Sequence, residues 1–214
     1  FSVTNPASNT NSGRVDWAYS IAEADLDFLA AGEVVTAVFT ITVTDDERAE
    51  ATQDVIVTLT GATDAPVLLA STLEKDVTEL PDGAPAEGSA TLTADGVLNF
   101  SDVDVTDTHS ARFVAAGIGY LGTFAITQPT STDSSTIGVV AWSFTVSDGD
   151  LEALAEGQPR VQSYDITVDD GQGGVLTQTA MVTLIGRNDA PEITLTSPDS
   201  DAETLAETNA CLTV

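Results

Sequence analysis

The sequence predicts an all-β protein made of tandem Greek-key β-sandwich domains. Three observations carry that prediction: a long internal repeat, apolar residues that alternate with a period of two, and turn-forming residues at regular intervals. The repeat sets the scale. "GRVDWAYSIAEADLDFLAAGE" at 13–33 matches "GVVAWSFTVSDGDLEALAEGQ" at 138–158. "FTITVTDDERAEATQDVIVTLTGATDAPVL" at 39–68 matches "YDITVDDGQGGVLTQTAMVTLIGRNDAPEI" at 164–193. Both run without a gap at one offset of 125 positions, so Trp17 falls on Trp142, Gly32 on Gly157 and Pro66 on Pro191. Solenoid units are shorter; a repeat of this length is a whole domain in tandem. The expected division is therefore 1–65 as the back half of one domain, 66–190 as a complete domain, and 191–214 as the opening of a third. "PEITLTSPDSDAETL" near the end parallels "PVLLASTLEKDVTEL" at 66–80, which supports that division.

Within each unit the strands follow from side-chain type. "VVTAVFTITVT" and "ATQDVIVTLT" in the first copy are rich in Val, Ile, Thr and Phe, which suit a pleated, half-buried surface. "VVAWSFTV", "VQSYDITV" and "TQTAMVTLI" in the second have the same character, and the gaps between them carry Asp, Gly and Asn. About seven strands in such a repeat, with turns at regular spacing, make a Greek-key sandwich. "DLDFLAAGE" and "DLEALAEGQ" break the pattern with Leu at i and i+3 before a Gly, which predicts one helical turn between strands. Asp25 and Asp150, opening those stretches, are read as N-caps. Trp17 and Trp142 are read as inter-sheet core.

Composition narrows the function. Apolar residues make up 42% of the 214, enough for real cores, but 34 acidic side chains face only 6 basic ones for a formal charge of −28. Such a surface repels nucleic acid and anionic lipid and attracts cations. The strand patterning argues against a disordered acidic chain. Cys211 stands alone and His109 is the single histidine, which excludes an internal disulfide, a thiolate zinc cluster and a multi-histidine metal site. No apolar run is long enough to cross a membrane and no stretch has the make-up of a signal peptide. The sequence, from "FSVTNPAS" to "ACLTV", is expected to be a piece of a longer protein.

Carboxylates gather at the ends of the expected strands. In the complete unit these are Glu79, the trio Asp102, Asp104 and Asp107, the pair Asp169 and Asp170, and Asn188 with Asp189. In the first unit Asp45/Asp46 and Asp64 hold the last two of these places. Oxygen donors with almost no nitrogen or sulfur beside them suit Ca²⁺. An EF-hand loop needs acid or amide at positions 1, 3 and 5, Gly at 6 and Glu at 12. Counted from Asp102 those last three places hold Thr106, Asp107 and Phe113, so the loop fails. "GQGGVLT" fails equally as a parallel β-roll nonapeptide. A calcium site must then be assembled from several loops. The competing reading is that Asp and Asn are common in turns, where they satisfy backbone N–H groups.

"GVLNFSDVDVTDTH", "WSFTV" with "LEALAEGQ", "ITVDDGQGG" and "VTLIGRNDAPEI" together resemble the VCBS repeat, a cadherin-like module of very large bacterial surface adhesins, over nearly the whole chain. That resemblance implies a calcium-binding spacer or adhesion repeat of an RTX-type adhesin that serves biofilm formation. It implies a chain at the cell surface or outside the cell, exported by a type I route, with neighbouring repeats as partners. A second, weaker likeness is to cadherin repeats, which set a D-x-D pair, a late-strand Asp and an acidic linker around ions at the domain junction. By that likeness Asp102 and Asp104 take the D-x-D place, Asp169 or Asp170 the late Asp, and Asp64 or Asn188/Asp189 the linker. The first linker has Thr63 where the second has Asn188, which implies a poorer ligand set there, and no motif matches the cadherin mid-domain Glu. In a sandwich Asp102/Asp104 and Asp169/Asp170 are expected at the pole facing Asp64. Asn188/Asp189 are expected at the far pole, where Glu207 is a further candidate.

Two other classes compete. A calcium-dependent lectin for acidic polysaccharide needs exposed aromatics beside a calcium loop, and Tyr120 and Phe124 in "GYLGTFAI" are the aromatics not assigned to the core. An enzyme finds no support: His109 lies between Thr108 and Ser110, strand neighbours point to opposite faces, and neither a G-x-S-x-G elbow nor a phosphate loop is present. His109 is therefore expected as an exposed residue at a strand start, and the chain as a non-enzyme.

Overall fold

The computed structural model describes residues 1–4, 13–104, 106–129 and 137–190. The predicted third unit at 191–214, with Glu207, lies outside the described residues. Among the described residues, alternating β-branched and apolar side chains give twelve strands and no α-helix. The first four are β1 (Ser2–Thr4), β2 (Asp16–Ala18), β3 (Val34–Thr44) and β4 (Glu50–Thr60). They form two antiparallel ribbons, β1–β2 and β3–β4.

Eight more strands make the second unit: β5 (Val67–Leu68), β6 (Glu74–Thr78), β7 (Thr91–Ser101), β8 (Ser110–Ala115), β9 (Thr123–Ile126), β10 (Gly138–Ser147), β11 (Pro159–Asp169) and β12 (Val175–Ile185). One sheet runs β5-β7-β10-β9 and the other β6-β12-β11-β8, so the chain repeatedly crosses between layers. Among the described strands the pairings are antiparallel except β6 on β12. The protein is all-β with a β-sandwich, as its alternation predicts. Leu98, Phe100, Val140, Trp142 and Phe144 of the first sheet meet Ile166, Val168, Val182 and Leu184 of the second in one buried cluster.

The two long hairpins keep the repeat to the residue. Val34 pairs with Thr60 and Thr44 with Glu50 in one, and Pro159 with Ile185 and Asp169 with Val175 in the other. A cross-strand pair makes the correspondence chemical. The Thr40 hydroxyl donates to Asp54 at 2.7 Å, and at the equivalent places Thr179 donates to Asp165, also at 2.7 Å. The partners have exchanged strands while the hydrogen bond survives.

Packing differs between the copies. Trp142 is only 2% exposed, and its Nε1 donates to the Thr72 carbonyl at 2.9 Å. Gly96 lies opposite it because a Cβ there would come within 2.6 Å of the indole ring. Trp17 is 47% exposed and stacks on Phe1 at 5.8 Å, so the expectation of a second core tryptophan is corrected. The reason is layer count: among the described residues no four-stranded sheet covers the β3–β4 ribbon as β7 and β10 cover β11–β12.

Other expectations shift for local reasons. The helical turns are 3₁₀ turns at Glu23–Asp25 and Asp148–Asp150. Asp25 and Asp150 end them instead of capping them, because each turn starts two residues earlier, after Ala22 and Ser147. Asp148 does the bonding: its carboxylate accepts the Leu80 and Gly88 N–H groups, both at 2.8 Å, and so ties the 80–88 loop to β10. Phe124 belongs to the core, and Tyr120 is half-buried against it. Phe124 stacks on Tyr164 at 4.1 Å, and the Tyr120 hydroxyl accepts the Ser163 N–H at 3.1 Å. The two tryptophans give a direct check. Trp142→Ala is expected to cost about 3–5 kcal/mol by urea unfolding, and Trp17→Ala about 1 kcal/mol or less, as for a surface site.

Candidate metal centre

Strand parity builds the site. Successive side chains in a strand alternate faces, and in β7 Ala94, Leu98 and Phe100 point inward. The same parity carried past Ser101 turns Asp102 and Asp104 inward, at 5% and 1% exposure. In β11 the inward set is Tyr164, Ile166 and Val168, so the next inward residue is Asp170, 1% exposed. Asp169 falls on the outer face, where its Oδ2 lies 3.7 Å from Arg112. Asp107, on the turn between β7 and β8, is 5% exposed and completes the group. Asp102, Asp107 and Asp170 each offer one oxygen within 4.8 Å of the others.

Backbone donors fix some of these oxygens and leave others bare. Asp170 Oδ1 accepts N–H bonds from Gln172, Gly173 and Gly174 at 2.7, 2.9 and 2.9 Å, which winds the β11–β12 turn around one carboxylate. Gly174 is required there, since a Cβ would strike the Asp170 carboxylate and come within 2.8 Å of the Ala65 Cα. Asp102 Oδ1 accepts the Asp104 N–H at 3.1 Å. Asp104 Oδ2 accepts the Asp64 N–H at 2.8 Å, which brings the linker after β4 against the pole. Asp104 Oδ1, Asp170 Oδ2 and both oxygens of Asp107 are buried without a hydrogen-bond partner.

His109 is the main residue that sequence reasoning misplaced. Its side chain is fully buried, with Nε2 2.9 Å from Asp102 Oδ2. Its ring lies 4.9 Å from that of Phe100. The expectation of an exposed residue fails because His109 directly precedes β8 and turns inward beneath the loop that carries the aspartates.

Glu79, Glu152 and Asp189 gather at another point, again with one oxygen each within 4.8 Å. Glu79 Oε2 accepts the Arg187 N–H at 2.6 Å, while Glu79 Oε1 and Asp189 Oδ1 are buried without partners. Asn188, beside Asp189, is exposed, and its amide donates to the Asp189 carbonyl at 3.4 Å. Asp45 Oδ1 accepts the Ala49 N–H at 2.7 Å and shapes its own turn. Sequence reasoning missed Glu152 and Asp148. The signal was present, because the repeat offset places acids at both positions of the first copy, Asp27 and Glu23.

The charge has few counterparts. Burial raises the Asp104 carboxyl above its ordinary 3.8; the hydrogen bond from Asp64 opposes this, and the charges of Asp102, Asp64 and Asp170 add to it. For Asp107 burial again leads, followed by Asp104, Asp170 and Asp102, with His109 opposing. Burial likewise raises Glu79 above 4.5 against the bond from Arg187, helped by Asp189, Asp148 and Glu87.

No family model matches the chain, and no curated protein matches it. A solved structure of zebrafish RET cadherin-like domains 1 to 4 is similar at 13% identity and a TM-score of 0.34, over 72% of this chain and 42% of that one. No helix among the described residues is long and apolar enough to cross a membrane.

A carboxyl with a higher pKa in the folded state holds its proton more tightly there. Its stabilising effect is complete below the unfolded value and is lost as pH rises through the folded value. With chelator present, the melting temperature is therefore expected to rise as pH falls from neutrality through the raised folded values. The gain levels off toward the ordinary values of 3.8 and 4.5. Scanning calorimetry across that range checks the sign; a midpoint that falls on acidification would mean the buried carboxylates are already compensated.

Proposed function

We propose that the chain is a calcium-binding spacer repeat of a cell-surface or secreted adhesin, whose ions stiffen the junctions between neighbouring domains. The observation that carries the reading is Asp107, with two buried oxygens that lack any hydrogen-bond partner, beside Asp102 and Asp170. Burying charge without compensation is costly, and such groups are normally paired or bound to metal. Ca²⁺ takes six to eight oxygens at about 2.3–2.6 Å, so its opposite ligands stand about 4.6–5.2 Å apart. One oxygen from each of Asp102, Asp107 and Asp170 lies within 4.8 Å of the others, close enough to share an ion of that size. The donors are all hard oxygens, which suits calcium over zinc or copper.

Asp102, Asp104, Asp107 and Asp170 would hold the ion, with Glu79, Glu152 and Asp189 as a second set. The ion supplies the positive charge that the pole lacks. Asp64 ties the preceding linker to Asp104, so a ligand that orders Asp104 also orders the junction. Neighbouring repeats of the same chain are the partners of this reading, and export to a calcium-rich exterior is its setting. The VCBS likeness of the motifs supports the adhesin assignment, and the absence of a nucleophile–base pair from those motifs supports a non-catalytic role. Tyr120 and Phe124 pack on Tyr164, which weighs against these two as the exposed aromatics of the polysaccharide-binding alternative.

Calorimetric titration of the full chain tests the reading. Binding is expected at about 10⁻⁴–10⁻³ M, the range of extracellular calcium modules. Asp107→Ala and Asp104→Ala are each expected to weaken it at least about tenfold, as loss of an ion ligand worth more than 1.4 kcal/mol would. Asp169→Ala, on the outer face, is expected to leave it within about twofold. Unchanged binding in Asp107→Ala would overturn the site.

A further inference from the structure

The geometry points to His109 as the positioning residue of this centre, an N–H donor that holds Asp102 in place for the cation. The inference rests on the calcium reading above and adds a residue outside the carboxylate set. Asp102 follows the end of β7 in one sheet, and His109 precedes the start of β8 in the other. Their 2.9 Å contact therefore joins the two layers at the pole. Asp102 is the one aspartate of the four whose carboxylate meets another side chain at hydrogen-bond distance; among the described contacts, those of Asp104 and Asp170 meet only backbone N–H groups, and that of Asp107 meets none.

The bond requires the proton on Nε2, because an ionised carboxylate only accepts. It also leaves room for the ion, since each carboxylate oxygen has two lone-pair sites and His109 takes one. Like charges gathered at one pole repel, and a carboxylate held only by a loop would swing toward solvent. His109 prevents that for Asp102 through a donor that adds no bulk inside the cluster, its ring being set against Phe100. Partners of this kind fix the direction of metal ligands, and their loss commonly lowers affinity about 10–100-fold.

Two substitutions separate this role from simple packing. His109→Leu keeps apolar bulk against Phe100 and removes the donor; His109→Gln restores an N–H at similar reach. In calcium titrations of the full chain, the Leu variant is expected to bind about 10–100-fold more weakly, and the Gln variant within a few-fold of the parent. Melting in chelator reports whether each variant folds. ¹⁵N imidazole shifts of the calcium-free parent are expected to show the proton on Nε2. A proton on Nδ1 instead, parental affinity in His109→Leu, or equal weakness in both folded variants would overturn the inference and leave the calcium site standing. A parent chain that binds no calcium would overturn the proposed function and this inference with it.

Discussion

Four aspartates with almost no exposed surface share one end of a sandwich in a chain of formal charge −28, and the rest of the structure is arranged around that expense. An ionised carboxylate taken out of water costs several kcal/mol unless something compensates it. Backbone N–H groups compensate part: three meet Asp170, one meets Asp102 and one meets Asp104. His109 compensates another oxygen of Asp102. Four oxygens on Asp104, Asp107 and Asp170 remain without a partner. Arg112 does not answer them, since it turns outward to Asp169. On the proposed reading a divalent cation would offset this imbalance, at the pole where the Asp64 amide brings in the linker.

The same constraint explains the local backbone. The β11–β12 turn coils tightly because Asp170 collects three consecutive amides, and Gly174 leaves that carboxylate room against Ala65. After β7, Asp102 accepts the Asp104 amide through one oxygen and meets His109 through the other. The linker enters through the Asp64 amide. Around Glu79 and Asp189 the logic recurs with a lighter load, as Arg187 and Ala190 donate amides to Glu79 and Asp82.

The strands and the repeat were legible because they depend on alternation and composition, which a sequence displays directly. The same alternation could have separated Asp170 from Asp169, since Ile166, Val168 and Asp170 share one parity. It also places Asp148 after Phe144 and Val146 on the inward face of β10. What alternation could not supply is depth. Trp17 and Trp142 occupy equivalent places in matching segments, yet one is half exposed and the other sealed, because burial depends on the sheet opposite. His109 was illegible for a related reason: its partner Asp102 lies seven residues away across a turn. The 3₁₀ turns misled through their starting points, which moved the bonding role from Asp150 to Asp148.

If uncompensated charge at the linker pole is what calcium resolves, the ion must change how the units are held and not only how tightly each is folded. Small-angle scattering of the full chain in millimolar calcium and in chelator measures this most directly. A longer, better-defined maximum dimension and lower flexibility are expected with calcium, half-developed at about 10⁻⁴–10⁻³ M, and abolished in Asp107→Ala. Superimposable profiles with calcium and with chelator would contradict it.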